Sequence, residues 1–299
     1  VHVLITGGTG LIGRYLCKTL LAQGHELTVL SRNPASVPVK CGAEVHSMAS
    51  LAEWHPGKKF DAVINLAGEP IVDKRWTARR KQALWESRIG LTDELVRHIA
   101  TSGNKPSVLI SGSAVGYYGN RGDTELDETA NAGEDFGAHL CKAWEDSARA
   151  AEEVGVRVCL LRTGLVLSQN GGMLGRMLPP FRFGLGARLG NGRQWMSWVH
   201  VDDYTAIVLR LLNDAQASGP YNMTAPQPVS NTEFTAALAK ALHRPAVFVA
   251  PAWLLKLAMG ERASLLLEGQ KVLPRKISAA GYRFQFADLA GAFDNLLEK

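Results

Sequence analysis

The first thirteen residues constrain this chain most. Val3-Leu4-Ile5-Thr6 is a short apolar run, Gly7-Gly8-Thr9-Gly10 is a glycine cluster, and Leu11-Ile12-Gly13 opens an amphipathic stretch. In that order they read as strand, tight turn and helix start. Glycine belongs in such a turn because a side chain would hold the backbone away from a phosphate. The free N–H groups of the first helical turn then face the anion, and the helix dipole adds attraction. The spacing reads both as Gly7-x-x-Gly10-x-x-Gly13 and as Gly8-x-Gly10-x-x-Gly13. With Thr9, Leu11 and Ile12 these glycines form the expected cradle of a dinucleotide, and Gly13 lets the helix pack closely on the strand.

The end of the next strand selects the cofactor. A helix is expected over 11–23 and a second strand over 26–30, running into Ser31-Arg32. An acidic residue about 20 positions beyond the glycines bonds the ribose hydroxyls in NAD sites, whereas an arginine there suits a 2′-phosphate. Arg32 lies 19 positions after Gly13, and no Asp or Glu stands at this strand end. The expected cofactor is therefore NADP(H), touched by Ser31 and Arg32.

Alternation of strand and helix continues. Residues 45–47 suggest a short third strand. Residues 61–68 read as a buried strand and a small-residue turn, where Leu66, Ala67 and Gly68 let the cofactor pass closely. One long helix is expected from Thr77 to Thr101, with Leu84, Leu91, Leu95 and Ile99 as its apolar stripe. Arg88 on that helix either reaches a phosphate or pairs with Glu86 or Asp93. A strand over 107–111 leads into a polar loop, Gly112 to Gly119, that carries Ser113. Residues 124–134 read as loop, 135–154 as helix and 156–161 as a sixth strand. This pattern predicts an α/β, Rossmann-type, doubly wound parallel sheet.

The alternation then stops. Residues 171–192 are rich in Gly and Pro and carry Arg176, Arg182 and Arg188, with Arg193 just beyond. Such a stretch reads as a loop or lid between domains. Its arginines either grip a substrate phosphate or are solvated surface charges. Asp202 or Asp203 is expected to cap a helix running to Leu212, with His200 packed or hydrogen-bonded. A late strand is expected at 219–223, helices from Asn231 or Thr232, over 251–259 and near 265–267, and an amphipathic piece over 284–297. The division expected is an NADP-binding domain over 1–165, with parts of 193–224 returning to it, and a lid plus small C-terminal α/β substrate domain over 166–299.

At 299 residues and 46% hydrophobic content the chain has ample material for a core. Its net charge of +5 suits anionic small-molecule ligands and does not call for nucleic acid, since no basic-aromatic module is present. Four cysteines, Cys17, Cys41, Cys141 and Cys159, lack metal-ligand spacing and read as reduced thiols, so no metal is expected. No apolar run is long enough to span a membrane and no signal peptide is visible, which sets the expectation of a cytoplasmic protein. The first residue, Val1, points to a processed or trimmed start. The expected partner is a small-molecule substrate, phosphate-bearing if the arginines grip it.

These landmarks together resemble the extended short-chain dehydrogenase/reductase superfamily, whose members include nucleotide-sugar epimerases. The matching residues are Thr6 to Gly13, Asn65-Leu66-Ala67-Gly68, Ser111-Gly112-Ser113 and Val199-His200-Val201-Asp202-Asp203. More narrowly, the chain looks like the atypical "epimerase family protein" group, the YfcH-like proteins. That rests on Asn65 to Pro70, Lys74-Arg75-Trp76, Met177 to Arg182 and Leu267 to Pro274. The resemblance spans essentially the whole chain. It implies a Rossmann domain, NADP(H) binding and a small C-terminal substrate domain, and it brings no settled substrate.

Typical members of the superfamily use a Ser and a Tyr-x-x-x-Lys pair on the following helix. One helical turn separates that Tyr and Lys, and the Lys lowers the phenol pKa for proton exchange. Ser113 fits the Ser position. Lys142 stands on the helix, but Ala138 precedes it by four residues. Aligning Trp144-Glu145 with the family's hydrophobic-Glu pair instead puts Cys141 at the Lys and Gly137 at the Tyr. Tyr117 or Tyr118 could supply a phenol, and His139 reads as solvated. The resemblance thus implies an NADP(H)-binding oxidoreductase or nucleotide-sugar-epimerase-like enzyme with non-standard acid–base groups, Ser113 and Lys142 being the catalytic candidates. The alternative is a non-enzymatic NADP(H)-binding sensor or scaffold.

Overall fold

A computed structural model describes residues 1–55 and 57–297. The first half runs β1 (His2–Thr6), α1 (Leu11–Ala22), β2 (Glu26–Leu30), α2 (Val37–Cys41), β3 (His46–Met48) and β4 (Ala62–Asn65). It continues through α3 (Ala78–Trp85), α4 (Leu91–Thr101), β5 (Val108–Ala114), β6 (Glu125–Leu126), α5 (Phe136–Arg149) and β7 (Arg157–Thr163). Next come β8 (Leu165–Leu167), α6 (Gly172–Arg182), β9 (Ala187–Leu189), β10 (Trp195–Met196), β11 (Trp198–His200), α7 (Val201–Asn213) and β12 (Gly219–Met223). The remainder is β13 (Val229–Ser230), α8 (Asn231–Ala241), β14 (Phe248–Ala250), α9 (Ala252–Met259), α10 (Ser264–Leu267), β15 (Lys271–Val272), α11 (Arg275–Ala279) and α12 (Leu289–Leu297).

Seven of these strands form one parallel sheet in the order β12-β7-β5-β4-β1-β2-β3. Helices cover both faces, so the central strands are buried on both sides and read as unbroken apolar runs. Val3, Leu4, Ile5, Val63 and Ile64 are fully buried. Strand order reverses between β1 and β4, and ligands of such sheets bind at the carboxyl ends beside that reversal. Register aligns Thr6 with Asn65 there. Residues 201–223 rejoin this body, because α7 packs on α1 and β12 pairs with β7.

Four local expectations need correcting. The helix over 77–101 is continuous in sequence but contains a π-helical turn, Glu86–Gly90, which re-aims Arg88. The strand expected to stop at Ser111 runs on to Ala114, because Ser113 and Ala114 pair with Arg162 and Thr163. Ser113 is therefore on a strand, not in a loop. The acidic stretch 124–134 is not wholly loop: β6 pairs in parallel with β15. The segment 171–193 is not a structureless lid, since it contains α6 and β9, despite Pro179 and Pro180 inside α6. Leu174, Leu178 and Phe181 at helical spacing are all buried. Each contributes roughly 1.5–3 kcal/mol, together comparable to what two helical prolines cost at about 3 kcal/mol each.

Neither aspartate caps α7. His200 does, its Nδ1 accepting from the Asp202 N–H at 3.1 Å. Burial lowers the His200 pKa, which suits a neutral ring, with Nε2 facing Asn295 Oδ1 at 3.1 Å. Asp203 instead ties down the C-terminal segment. Its carboxylate accepts from the backbone N–H groups of Gln285 and Phe286, both at 2.9 Å, and from the Tyr282 hydroxyl at 2.7 Å. Asp203 is 1% exposed, so Asp203→Ala leaves the Gln285 and Phe286 N–H groups unpartnered and the Tyr282 hydroxyl with only the Asp203 carbonyl at 3.4 Å. We expect a loss of about 2–3 kcal/mol in urea unfolding; a loss under about 0.5 kcal/mol would remove this role. Likewise Ser230 rather than Asn231 or Thr232 caps α8, in a reciprocal box with Glu233.

All four cysteines are free and buried. No helix among the described residues is long and apolar enough to cross a membrane.

Candidate functional site

The glycine turn lies between the end of β1 and the start of α1. Gly7 has φ +71°, and a Cβ there would stand 2.7 Å from the Leu66 carbonyl. A Cβ on Gly13 would meet the Gly7 oxygen at 2.4 Å and the Gly8 Cα at 2.5 Å. Gly13 thus packs the helix against the turn itself. Gly10 is different: it is exposed and a Cβ there meets only the Gly7 oxygen, at 3.1 Å. It is also the N-cap of α1 and makes no side-chain cap. Among the described residues, the N–H groups that open α1 consequently lack a side-chain acceptor, which is the feature that suits an anion. Thr9, Leu11 and Ile12 are half-buried around this opening.

Hydrogen bonds fix the neighbouring strand end. The Thr6 hydroxyl donates to Asn65 Oδ1 at 2.7 Å and accepts from the Ala67 N–H at 3.2 Å. Asn65 Nδ2 donates to Thr92 and Ser111 hydroxyls. This holds the Leu66-Ala67-Gly68 turn beside Gly7. Gly68 is exposed, and a Cβ there would press on the Arg88 guanidinium at 3.0 Å.

Arg88 pairs with neither Glu86 nor Asp93. Its guanidinium donates to the carbonyls of Leu84 and Glu69 and lies over the Trp144 ring. Burial lowers its pKa. It backs the Gly68 turn from within.

Arg32 projects from the end of β2 and is 92% exposed. It donates to Glu69 Oε1 at 2.8 Å, while Arg80 holds Glu69 Oε2 at 3.2 Å. Hydrogen bonds from Arg32 and Arg80 hold the Glu69 carboxyl below its usual range. Ser31 lies half-buried next to Arg32. A carboxylate thus stands against the arginine that the sequence marks for a 2′-phosphate. Glu69 was visible only as part of the family resemblance; its contact with Arg32 spans 37 residues.

Ser113 is 4% exposed at the carboxyl end of β5. Its hydroxyl donates to Glu145 Oε1 at 2.7 Å. Glu145 is gripped by both arms of Arg162, at 2.9 and 3.0 Å. Both are charged and nearly fully buried, at 2% and 3% exposure. Burial works against the Arg162 charge, but Glu145 outweighs it and the pKa rises. Arg162 also donates to the Tyr118 hydroxyl at 3.0 Å, which donates in turn to Asn222 Oδ1 at 2.6 Å. Burial pushes the Tyr118 phenol up to about 12, so it keeps its proton at neutral pH. Tyr117 lies against the Arg162 guanidinium, 3.6 Å from ring centre to Cζ.

Lys142 does not join this network. Its ammonium donates to Asp146 at 2.6 Å, with both side chains more than half exposed. His139 is exposed too. The helix face that meets Ser113 carries Cys141 and Glu145 instead. Sequence reasoning used Glu145 only to set the helix alignment and gave Arg162 no role. One signal was available: an arginine at the end of the apolar run Val158 to Leu161 needs a buried counter-charge.

For the arginines of 171–193, read either as a phosphate grip or as solvated surface charges, Arg182 and Arg193 fit the second reading. Arg176 pairs with Asp73 at 2.6 Å, and Arg182 and Arg193 are exposed. The Arg188 stem lies beside Gly192.

Comparison with known proteins agrees with this geometry. Residues 3–224 match the NAD dependent epimerase/dehydratase family, and residues 250–296 match DUF1731, a domain of unknown function. An "epimerase family protein" of Mycobacterium bovis is 43% identical over 286 residues, covering 94% of this chain and 93% of the relative. The epimerase family protein YfhF of Bacillus subtilis is 37% identical, covering 99% of this chain and 98% of the relative. The crystal structure of human epimerase family protein SDR39U1 with NADPH superposes with a TM-score of 0.91 at 34% identity, covering 100% of both chains. Thermus thermophilus UDP-glucose 4-epimerase with NAD shares the fold at a TM-score of 0.80 and 20% identity, covering 99% of this chain and 97% of that one. The chain belongs to the NAD dependent epimerase/dehydratase family.

Proposed function

We propose that this protein binds NADP(H) and acts as an epimerase-related oxidoreductase whose proton-transfer group is Ser113 backed by Glu145. The single observation that carries the cofactor reading is the uncapped start of α1 behind Gly10, with Arg32 at the end of the adjacent strand. The N–H groups of Leu11 and Ile12 would hold the pyrophosphate, with clearance given by Gly7, Thr9, Gly10 and Gly13. Ser31 and Arg32 would hold the 2′-phosphate, and Leu66, Ala67 and Gly68 would flank the nucleotide with Arg88 behind them. The NADPH in the human relative's structure supports the same assignment. When bound, the cofactor supplies hydride exchange.

Ser113 donates its hydroxyl hydrogen bond to Glu145, so its oxygen has lone pairs left for a ligand. It therefore accepts from a substrate hydroxyl. On oxidation the substrate proton passes to Ser113 Oγ as the Ser113 proton passes to the Glu145 carboxylate; reduction returns both. Arg162 holds that carboxylate in place with two parallel bonds. A cytoplasmic setting fits four buried free thiols.

Titration by NADPH fluorescence is expected to give at least tenfold tighter binding than NADH. Equal affinities would overturn the NADP(H) assignment. A binding-only sensor is the second reading, favoured by the solvent-side Lys142–Asp146 pair. Turnover of any carbonyl or nucleotide-sugar panel member that vanishes in Ser113→Ala would remove it.

A further inference from the structure

A cavity of about 130 Å³ opens between the residues that follow β5 and β7 and the segments that carry α6, β10 and α10. Its wall begins at Val115 and Leu165, each two residues beyond a sheet position, Ser113 and Thr163 respectively. Met173 and Met177 of α6, Trp195 and Leu266 close much of the rest. No lysine or arginine lines it among the described residues, and its one charged group is Glu268, an exposed carboxylate. Gln194, also in the wall, donates its amide to the carbonyls of Leu189 and Leu266, leaving Oε1 buried without a partner.

We infer that this cavity is the substrate subsite and that it takes an uncharged, largely apolar group about the size of a benzene ring, carried by an alcohol or carbonyl. The inference rests on the cofactor reading above only for its place in the reaction. Size is the first argument: an apolar cavity of about 150 Å³ accommodates benzene, and 130 Å³ here suits a body of about that size. Charge is the second. A diphosphate needs fixed cations, and this wall supplies a carboxylate instead. Thioethers and an indole provide polarisable, adaptable walls for an aromatic or branched body. Gln194 Oε1 offers a buried acceptor with no partner among the described residues, suited to a hydroxyl or amide donor on the ligand.

Benzyl alcohol, benzoate and UDP-glucose test this against the NADPH-saturated full chain, read by saturation-transfer NMR. Benzyl alcohol is expected to bind with a dissociation constant near or below about 1 mM, benzoate at least tenfold more weakly, and UDP-glucose not to compete. Met177→Trp, or Met173→Trp should the first variant melt early, fills the cavity and is expected to abolish benzyl alcohol binding while leaving the NADPH titration unchanged. Tighter binding of benzoate or UDP-glucose, no binding of benzyl alcohol, or binding indifferent to both tryptophan variants would overturn the assignment. Failure of the NADPH titration alone refutes the cofactor reading instead, because no residue of the glycine turn lines this cavity.

Discussion

Replacing Glu145 by alanine is expected to destabilise the protein by about 3–5 kcal/mol, the largest loss we anticipate from one side chain. The reason is the environment of its partner. Arg162 is 3% exposed and donates two of its bonds to Glu145. Without the carboxylate its charge stays buried beside Tyr118 and the Glu128 carbonyl, which accept but do not neutralise it. Thermal unfolding should fall by roughly 5–8 °C for a chain of this length. Replacing the pair together, Glu145→Leu with Arg162→Met, should recover most of that loss, since a packed apolar pair often matches a buried ion pair in stability. The double variant should nevertheless lose any activity that depends on Ser113, because the proton acceptor is gone. A Glu145→Ala protein melting within about 2 °C of the parent would show that Arg162 finds other compensation.

Arg32→Ala is expected to weaken NADPH binding about tenfold, the effect of one charge-assisted contact to a phosphate, and to change NADH binding less than twofold. The preference between the cofactors should largely vanish. Glu69 sharpens the test. Its carboxylate already bonds Arg32 at 2.8 Å, so a 2′-phosphate must displace it or accept its repulsion. Glu69→Gln should therefore raise NADPH affinity about threefold, opposite in sign to Arg32→Ala. Both effects should shrink as salt rises, because Arg32 is exposed. An Arg32→Ala protein that keeps its full NADPH preference would place the 2′-phosphate elsewhere.

The sequence was most informative where short-range rules act alone. Gly7, Gly10 and Gly13 needed no distant partner to declare a tight turn, a helix start with free N–H groups and a close helix contact; spacing along one strand, turn and helix sufficed. The doubly wound sheet was equally legible, because strands buried on both faces must be apolar throughout. Local rules failed where burial overrode them. Pro179 and Pro180 argued for a loop, yet Leu174, Leu178 and Phe181 bury together and hold α6 in place. Ser113 was read into a loop, yet pairing with β7 keeps it in the sheet.

The sequence by itself therefore determined the nucleotide-type cradle and the sheet behind it, since those depend on residue type and near spacing. Only the tertiary structure decided the chemistry. Ser113 and Glu145 are 32 residues apart, Glu145 and Arg162 17, and Arg32 and Glu69 37, and charges so separated meet only after strands align and helices dock. The same docking turned Lys142 outward to Asp146 and closed apolar walls beyond Ser113. Charge pairing and cavity shape are properties of the folded arrangement, because Coulomb attraction and packing act across space rather than along the chain.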